Sequence, residues 1–206
     1  MTDLKIRVSH IEESSKLLGP FDRFIIWVYG CCFNCEGCLA VNTRFGEYKE
    51  VLINSLAEKI IKSSCEGLTI SGGEPFLQAR ELLTLIKKIK KFRDIGVIIY
   101  SGFTLGEIKN DKLKSPLLAE IDILIDGRYE KNLDDGRAYI GSSNQKIYYL
   151  TDRYKKIGAE YYSETKRKAE IKFTSSQAVL IGVPSKNVLN LWQNLKNKSG
   201  GEKIDL

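Results

Sequence analysis

One histidine, one methionine and four prolines are all that 206 residues hold of these types. A lone His10 excludes zinc sites built on paired histidines, and it reads as a surface residue with no catalytic part. No stretch approaches the roughly 18 uninterrupted apolar residues of a membrane span, and no apolar segment preceded by positive charge opens the chain. The expected location is therefore the cytoplasm, where thiols stay reduced. Internal repeats, low-complexity tracts and Pro/Gly-rich linkers are missing too. That favours a single domain over residues 1–206 with a full core.

Excess charge of one sign is slight, with 32 Lys and Arg against 26 Asp and Glu for a net charge of +6. It gathers in Lys87-Lys88, Lys90-Lys91, Lys155-Lys156 and Lys166-Arg167-Lys168. These runs read as solvated helix faces rather than a nucleic-acid patch. An acidic protein partner is the other reading.

What the chain does have is cysteine in one concentrated place. Four of its five cysteines fall within the first forty residues, and an odd count fits ligation better than a disulfide framework. The run Gly30-Cys-Cys-Phe-Asn-Cys-Glu-Gly-Cys38 presents Cys31, Cys35 and Cys38 as Cys-x3-Cys-x2-Cys, directly after the apolar Phe24-Ile-Ile-Trp-Val28. Three thiolates are one short of the four that enclose a [4Fe–4S] cluster or a structural zinc. The fourth metal position is then filled from elsewhere or left open for a substrate. Zinc would need a second Cys or His pair, and only Cys65 and His10 remain, so iron–sulfur is favoured. A competing register through Cys32 exists. Adjacent side chains point apart, however, and Gly30 suits a tight turn just before Cys31. Cys32 and Cys65 are read as structural.

Four strands are expected, over residues 24–29, 68–71, 97–100 and 121–125, each short, apolar and rich in β-branched residues. Between them, Ile53, Leu56, Ala57, Ile60 and Ile61 recur at helical spacing, as do Leu82, Leu85, Ile86, Ile89 and Phe92. This β-α-β-α-β order implies an α/β fold with parallel strands and right-handed crossovers. Ligand sites in such sheets lie beyond the C-terminal strand ends. Cys31, Gly72, Ser101 and Asp126 all fall there. Ser71-Gly-Gly-Glu-Pro75 taken alone is a strand-to-helix turn. Beside three cysteines, Gly72 and Gly73 offer bare backbone, and Glu74 offers a carboxylate to a ligand amine. Asp122 and Asp126 bracket an apolar strand, and a carboxylate buried there needs partners. Asp126, at the strand end, is the better site member. Further on, residues 146–150, 171–173 and 179–183 read as strands. Ser185 caps a last helix carrying Val188, Leu191, Trp192 and Leu195. The core spans about residues 19–150, an extension about 151–195, and a polar tail at 196–206 is expected to fray.

The cysteine run and the Gly-Gly-Glu turn, in this order, resemble the radical SAM superfamily. Beyond them the chain resembles the small activating enzymes of anaerobic ribonucleotide reductase. The shared residues are Gly19-Pro-Phe-Asp-Arg23, Gly30-Cys31, Cys35-Glu-Gly-Cys38, Ser71-Gly-Gly-Glu-Pro-Phe76, Tyr100-Ser-Gly-Phe-Thr104, Ile123-Leu-Ile-Asp-Gly127 and Gly141-Ser-Ser-Asn-Gln145. The likeness thus covers about residues 19–150. Gly37 also matches the activases, where many radical SAM proteins carry an aromatic near adenine. The region after Leu150 extends past the compact activases.

The resemblance implies a partial, open radical SAM (β/α) barrel with parallel strands. It implies a [4Fe–4S] cluster on Cys31, Cys35 and Cys38, whose open iron is chelated by S-adenosylmethionine. Gly72, Gly73 and Glu74 would hold the methionine amino group, Ser101 and Gly102 would contact ribose or methionine, and Asp126 would complete the site. A flavodoxin- or ferredoxin-type donor would supply one electron, and the sulfonium would yield methionine and a 5′-deoxyadenosyl radical. That radical would take a hydrogen from a glycine of a large anaerobic reductase, leaving a glycyl radical there. The alternatives are a radical SAM enzyme modifying a peptide, nucleotide or other metabolite, and a non-enzymatic zinc- or cluster-stabilised interaction module.

Overall fold

The computed structural model describes residues 4–163, 166–173, 178–198 and 204–205. The expected fraying of the tail falls mostly outside them. Seven strands form the main sheet: β1 (Lys5–Ser15), β2 (Arg23–Val28), β3 (Lys49–Leu52), β4 (Gly67–Gly72), β5 (Gly96–Tyr100), β6 (Ile123–Asp126) and β7 (Lys146–Tyr149). Their order is β3-β1-β2-β4-β5-β6-β7. The central four, β2, β4, β5 and β6, run parallel. β1 lies antiparallel to β2 and β3, and β7 antiparallel to β6. The expected parallel core is present. Among the described residues the sheet is open, with edges at β3 and β7, and no barrel closes. β1 and β3 were not foreseen. Their apolar residues alternate for only a few positions, and pairing across the sheet rather than local pattern holds them there.

Helices cover one face. α1 (Asn42–Phe45) is a single turn behind the cysteine loop, and α2 (Ile53–Lys62) and α3 (Ala79–Lys90) are the long crossovers. Leu56 and Ile60 of α2 with Leu82, Leu85, Ile86 and Ile89 of α3 pack on Phe24, Ile26, Leu68 and Ile70. Each such side chain contributes about 1.5–3 kcal/mol. Phe92, expected on that face, is instead 72% exposed, because α3 ends at Lys90 and the chain turns toward β5. α4 (Leu105–Asn110) and α5 (Ser115–Leu118) link β5 to β6. No helix among the described residues is long and apolar enough to cross a membrane.

After β7 come α6 (Lys155–Tyr162), β8 (Ala169–Phe173), β9 (Ala178–Gly182), α7 (Lys186–Lys198) and β10 (Ile204–Asp205), the strands forming a second sheet ordered β10-β9-β8. Ser185 caps α7, its carbonyl accepting from Leu189 N at 2.9 Å. Trp192 is buried and Leu191 is exposed, so the inward face of α7 is Val188, Leu189 and Trp192. The face of the main sheet opposite α2 and α3 is covered too. Val179 and Ile181 pack on Leu18, Ile25 and Trp27, and Tyr154 packs on Ile98, Ile123 and Ile125. His10 is half-buried beside Trp27, at 5.4 Å between rings, rather than on the surface. Arg167 is likewise not a solvated lysine-run member, since its side chain is 5% exposed and paired with Asp134.

Candidate functional site

β2 ends at Val28, and the next residues are pinned before the cysteines begin. Tyr29 N donates to Arg7 O at 2.9 Å and Gly30 N to Thr43 O at 2.8 Å. Cys31, Cys35 and Cys38 then line one cavity of about 220 Å³. Cys32 is exposed and outside that lining. Cys65 is buried far along the chain, its thiol against Glu13 O at 2.8 Å. Burial pushes the Cys31 thiol up to about 11 and raises Cys38 as well. Both are therefore neutral thiols near pH 7 until a metal displaces the proton.

Gly72 ends β4 and Gly73 follows it, both against the same cavity. Gly73 N donates to Val28 O and Glu74 N to Gly30 O, both at 2.8 Å. These bonds clip the glycine turn to the cysteine loop. A Cβ on Gly73 would stand 2.1 Å from Gly30 O, so only glycine permits the approach.

Glu74 is 1% exposed and takes three hydrogen bonds within the protein. Its Oε1 accepts from Phe76 N and Ser101 Oγ, both at 2.9 Å, and its Oε2 from Gly102 N at 2.7 Å. Burial outweighs these bonds and pushes the carboxyl up to about 7. Glu74 and Ser101, expected to contact a ligand, line the cavity and are also engaged within the protein. They join to each other and brace Gly102, which lines the cavity with them. Asp126 is turned away. Its Oδ2 accepts from Leu105 N at 2.5 Å, and it lines a neighbouring cavity. Asp122 sits at the other end of β6, bound to Val97 N at 2.8 Å.

Several wall residues had no sequence signal of their own. Phe33 stands within the cysteine loop, 4.5 Å from the Arg128 guanidinium and 4.8 Å from the Phe103 ring. Tyr129, two residues past the Gly127 turn, could have been found from its place at a strand end. Tyr139 adopts φ +64°, a conformation costly for an aromatic residue, and is held by stacking 4.1 Å from Tyr161. Gly182 and Val183 close the far wall. The Gly141–Gln145 loop is a clasp: Gln145 Oε1 accepts from Gly141 N at 2.7 Å and its Nε2 donates to Gly127 O at 2.8 Å.

Among the described residues no three His, Cys, Asp or Glu side chains converge tightly enough to enclose one metal ion. Three thiols spread around a cavity instead suit a cluster, in which each thiolate takes a different iron. The donor set and the bare glycine backbone both fit such a group with an adjacent small ligand.

Residues 17–148 match the family described as a 4Fe-4S single cluster domain. The anaerobic ribonucleoside-triphosphate reductase-activating protein of Enterobacteria phage T4 is 33% identical over 141 residues, spanning 65% of this chain and 88% of that protein. Its counterpart in Pasteurella multocida is 34% identical over 146 residues, 65% and 90% of the two chains. That of Escherichia coli (strain K12) is 27% identical over 145 residues, 64% and 91%.

Proposed function

The chain belongs to the 4Fe-4S single cluster domain family, among the anaerobic ribonucleoside-triphosphate reductase-activating proteins, and from that we propose that it is a radical SAM activase installing a glycyl radical on such a reductase. One observation carries the reading: three thiols and the Gly72–Gly73 backbone face a single cavity. Cys31, Cys35 and Cys38 would hold the cluster, and Gly72 and Gly73 the amino end of S-adenosylmethionine. When bound, the pair supplies one-electron cleavage of the sulfonium and hydrogen abstraction.

The protein's own part is positional. Glu74 and Ser101 fix Gly102 and the turn after β4, so that the cofactor end meets rigid backbone. Trp27, Phe33 and Tyr100 line the cavity and exclude water and stray hydrogen donors. A flavodoxin- or ferredoxin-type protein is the proposed reductant, and a thiol-ligated cluster of this kind belongs in the reducing cytoplasm.

Anaerobic reconstitution followed by iron, sulfide and zinc analysis is the first test, with about four irons per chain expected. Reduced protein with the cofactor and an anaerobic reductase should then give 5′-deoxyadenosine and a glycyl doublet by electron paramagnetic resonance. One tight zinc and no cluster would end the reading. A second reading rests on Gly182 and Val183, which bring the extension into the cavity wall: modification of another peptide or metabolite. A mass change in such a molecule, with no doublet on the reductase, would select it.

A further inference from the structure

The family match ends at residue 148, and the relatives, themselves 88–91% covered, account for about 65% of this chain. The remaining portion is not appended at a distance. β9 lies across the face of the main sheet opposite α2 and α3, where Val179 and Ile181 pack on Leu18, Ile25 and Trp27. Its end, Gly182 with Val183, enters the cavity that holds the three thiols. Its other face, Ala178 and Leu180, packs on Trp192 of α7, so β8, β9 and α7 form one packed unit.

Polar clasps tie this unit down on both sides. Lys172 Nζ donates to Glu12 Oε1 at 2.8 Å and Ser14 O at 2.7 Å, and Ser15 Oγ to Glu170 at 3.0 Å. Across the sheet, Arg167 forks onto Asp134 at 2.7 and 3.2 Å and reaches Gly141 O at 3.0 Å, at the cavity rim. The Asp134 carboxyl is held below its ordinary value by that guanidinium, against the opposing effect of burial.

Two observations argue against a fixed wall. The cavity, about 220 Å³, is smaller than the roughly 300–1,000 Å³ of ordinary small-ligand sites. The proposed function asks it to hold a cluster, a nucleoside cofactor and a glycine of a partner. What β9 places there is also chemically pointed: an extended apolar segment ending in Gly182, at φ +105°.

We propose that β9 is a resident stand-in for the partner's glycine-bearing segment. It fills the groove over Ile25 and Trp27 in the free protein. The β8–β9–α7 unit moves off, parting Arg167 from Asp134, when the partner's segment docks. The segment the groove accepts is extended, apolar throughout and glycine-terminated, as β9 itself is. This rests on the activase reading only for the identity of the partner.

The test uses the full chain and a fluorescent peptide copying residues 178–183. Peptide affinity is read by anisotropy, and protection of the β9 amides by hydrogen exchange. Wild-type protein should bind weakly. Arg167→Ala, and separately Asp134→Asn, should bind at least tenfold tighter and lose β9 protection, with iron content unchanged. In wild type, saturating peptide should also release β9 protection. Faster β9 exchange without tighter peptide binding would mean a wall merely loosened, and the proposal would fall. So would peptide binding that leaves β9 protected. Thermal unfolding identifies a variant that fails to fold, in which case the wild-type exchange arm decides alone. Neither readout needs turnover, so a failed radical assay would not be mistaken for a failed stand-in.

Discussion

Each thiol of the cysteine loop has its own environment, and the differences set what substitution does. Cys31, Cys35 and Cys38 face the cavity while Cys32 faces solvent. Cys31→Ala, Cys35→Ala or Cys38→Ala should each abolish retention of reconstituted iron, whereas Cys32→Ser should keep it at the wild-type level. Colorimetric iron and sulfide assays after gel filtration check this. Glu74 gives a pH signature. Its carboxyl, ordinarily near 4.5, is raised to about 7 by burial, so the folded apoprotein binds that proton more tightly than the unfolded chain. The associated stability is fully present below pH 4.5 and lost as pH rises through about 7. Its size is about 3 kcal/mol by linkage. Urea melts of apoprotein at pH 5 and 7.5 should show that fall in the wild type and a flatter profile in Glu74→Gln. The Cys31 and Cys38 thiols are shifted upward and do not titrate in this window. Their types and spacing were readable from the chain. That Glu74 and Ser101 spend their polar atoms on each other was not, because they lie 27 residues apart and meet only across β4 and β5.

Among the elements, α4 shows how a short helix is held at the edge of the site. Thr104 and Glu107 form a reciprocal capping box, with Thr104 N donating to Glu107 Oε2 at 2.7 Å and Glu107 N to Thr104 Oγ1 at 3.3 Å. Asp126 adds an acceptor for Leu105 N, satisfying a donor that a helix start leaves orphaned. Thr104→Ala should cost about 1 kcal/mol. Asp126→Ala should destabilise by about 1–3 kcal/mol and leave cofactor affinity within twofold of wild type, measured by equilibrium dialysis. A large loss of affinity would return Asp126 to the site. The faces of α2 and α3 were legible because burial repeats at helical period. The end of α3 was not, since Phe92 extends the period while the chain already turns.

Over the whole molecule, the extension is tied to the core through Arg23. Its guanidinium is fully buried and donates to Thr69 Oγ1 at 3.0 Å, Leu68 O at 2.7 Å, Gly96 O at 3.0 Å, Glu66 Oε2 at 2.9 Å and the Tyr154 hydroxyl at 2.6 Å. Three strands and Tyr154, the residue that opens α6, thus share one charge. Arg23→Ala leaves the buried Leu68 and Gly96 carbonyls and the Thr69 hydroxyl without their donor and should lower stability by about 1–3 kcal/mol. Tyr154→Phe should cost about 1–3 kcal/mol. Urea unfolding measures both, and an Arg23→Ala loss under 1 kcal/mol would contradict the network.

By itself the sequence determined the parts whose cause is local. The Cys31–Cys38 loop, the glycine turn at 72–73, the parallel order of β2, β4, β5 and β6, and the buried faces of α2 and α3 follow from residue type and period within a few turns of chain. Tertiary structure alone decided the rest: β1 between β2 and β3, β7 as an antiparallel edge, Asp126 turned to α4, and Gly182 beside cysteines some 150 residues earlier. Those placements depend on which distant surfaces bury each other. Burial of apolar area is non-directional, so no local pattern names its partner in advance.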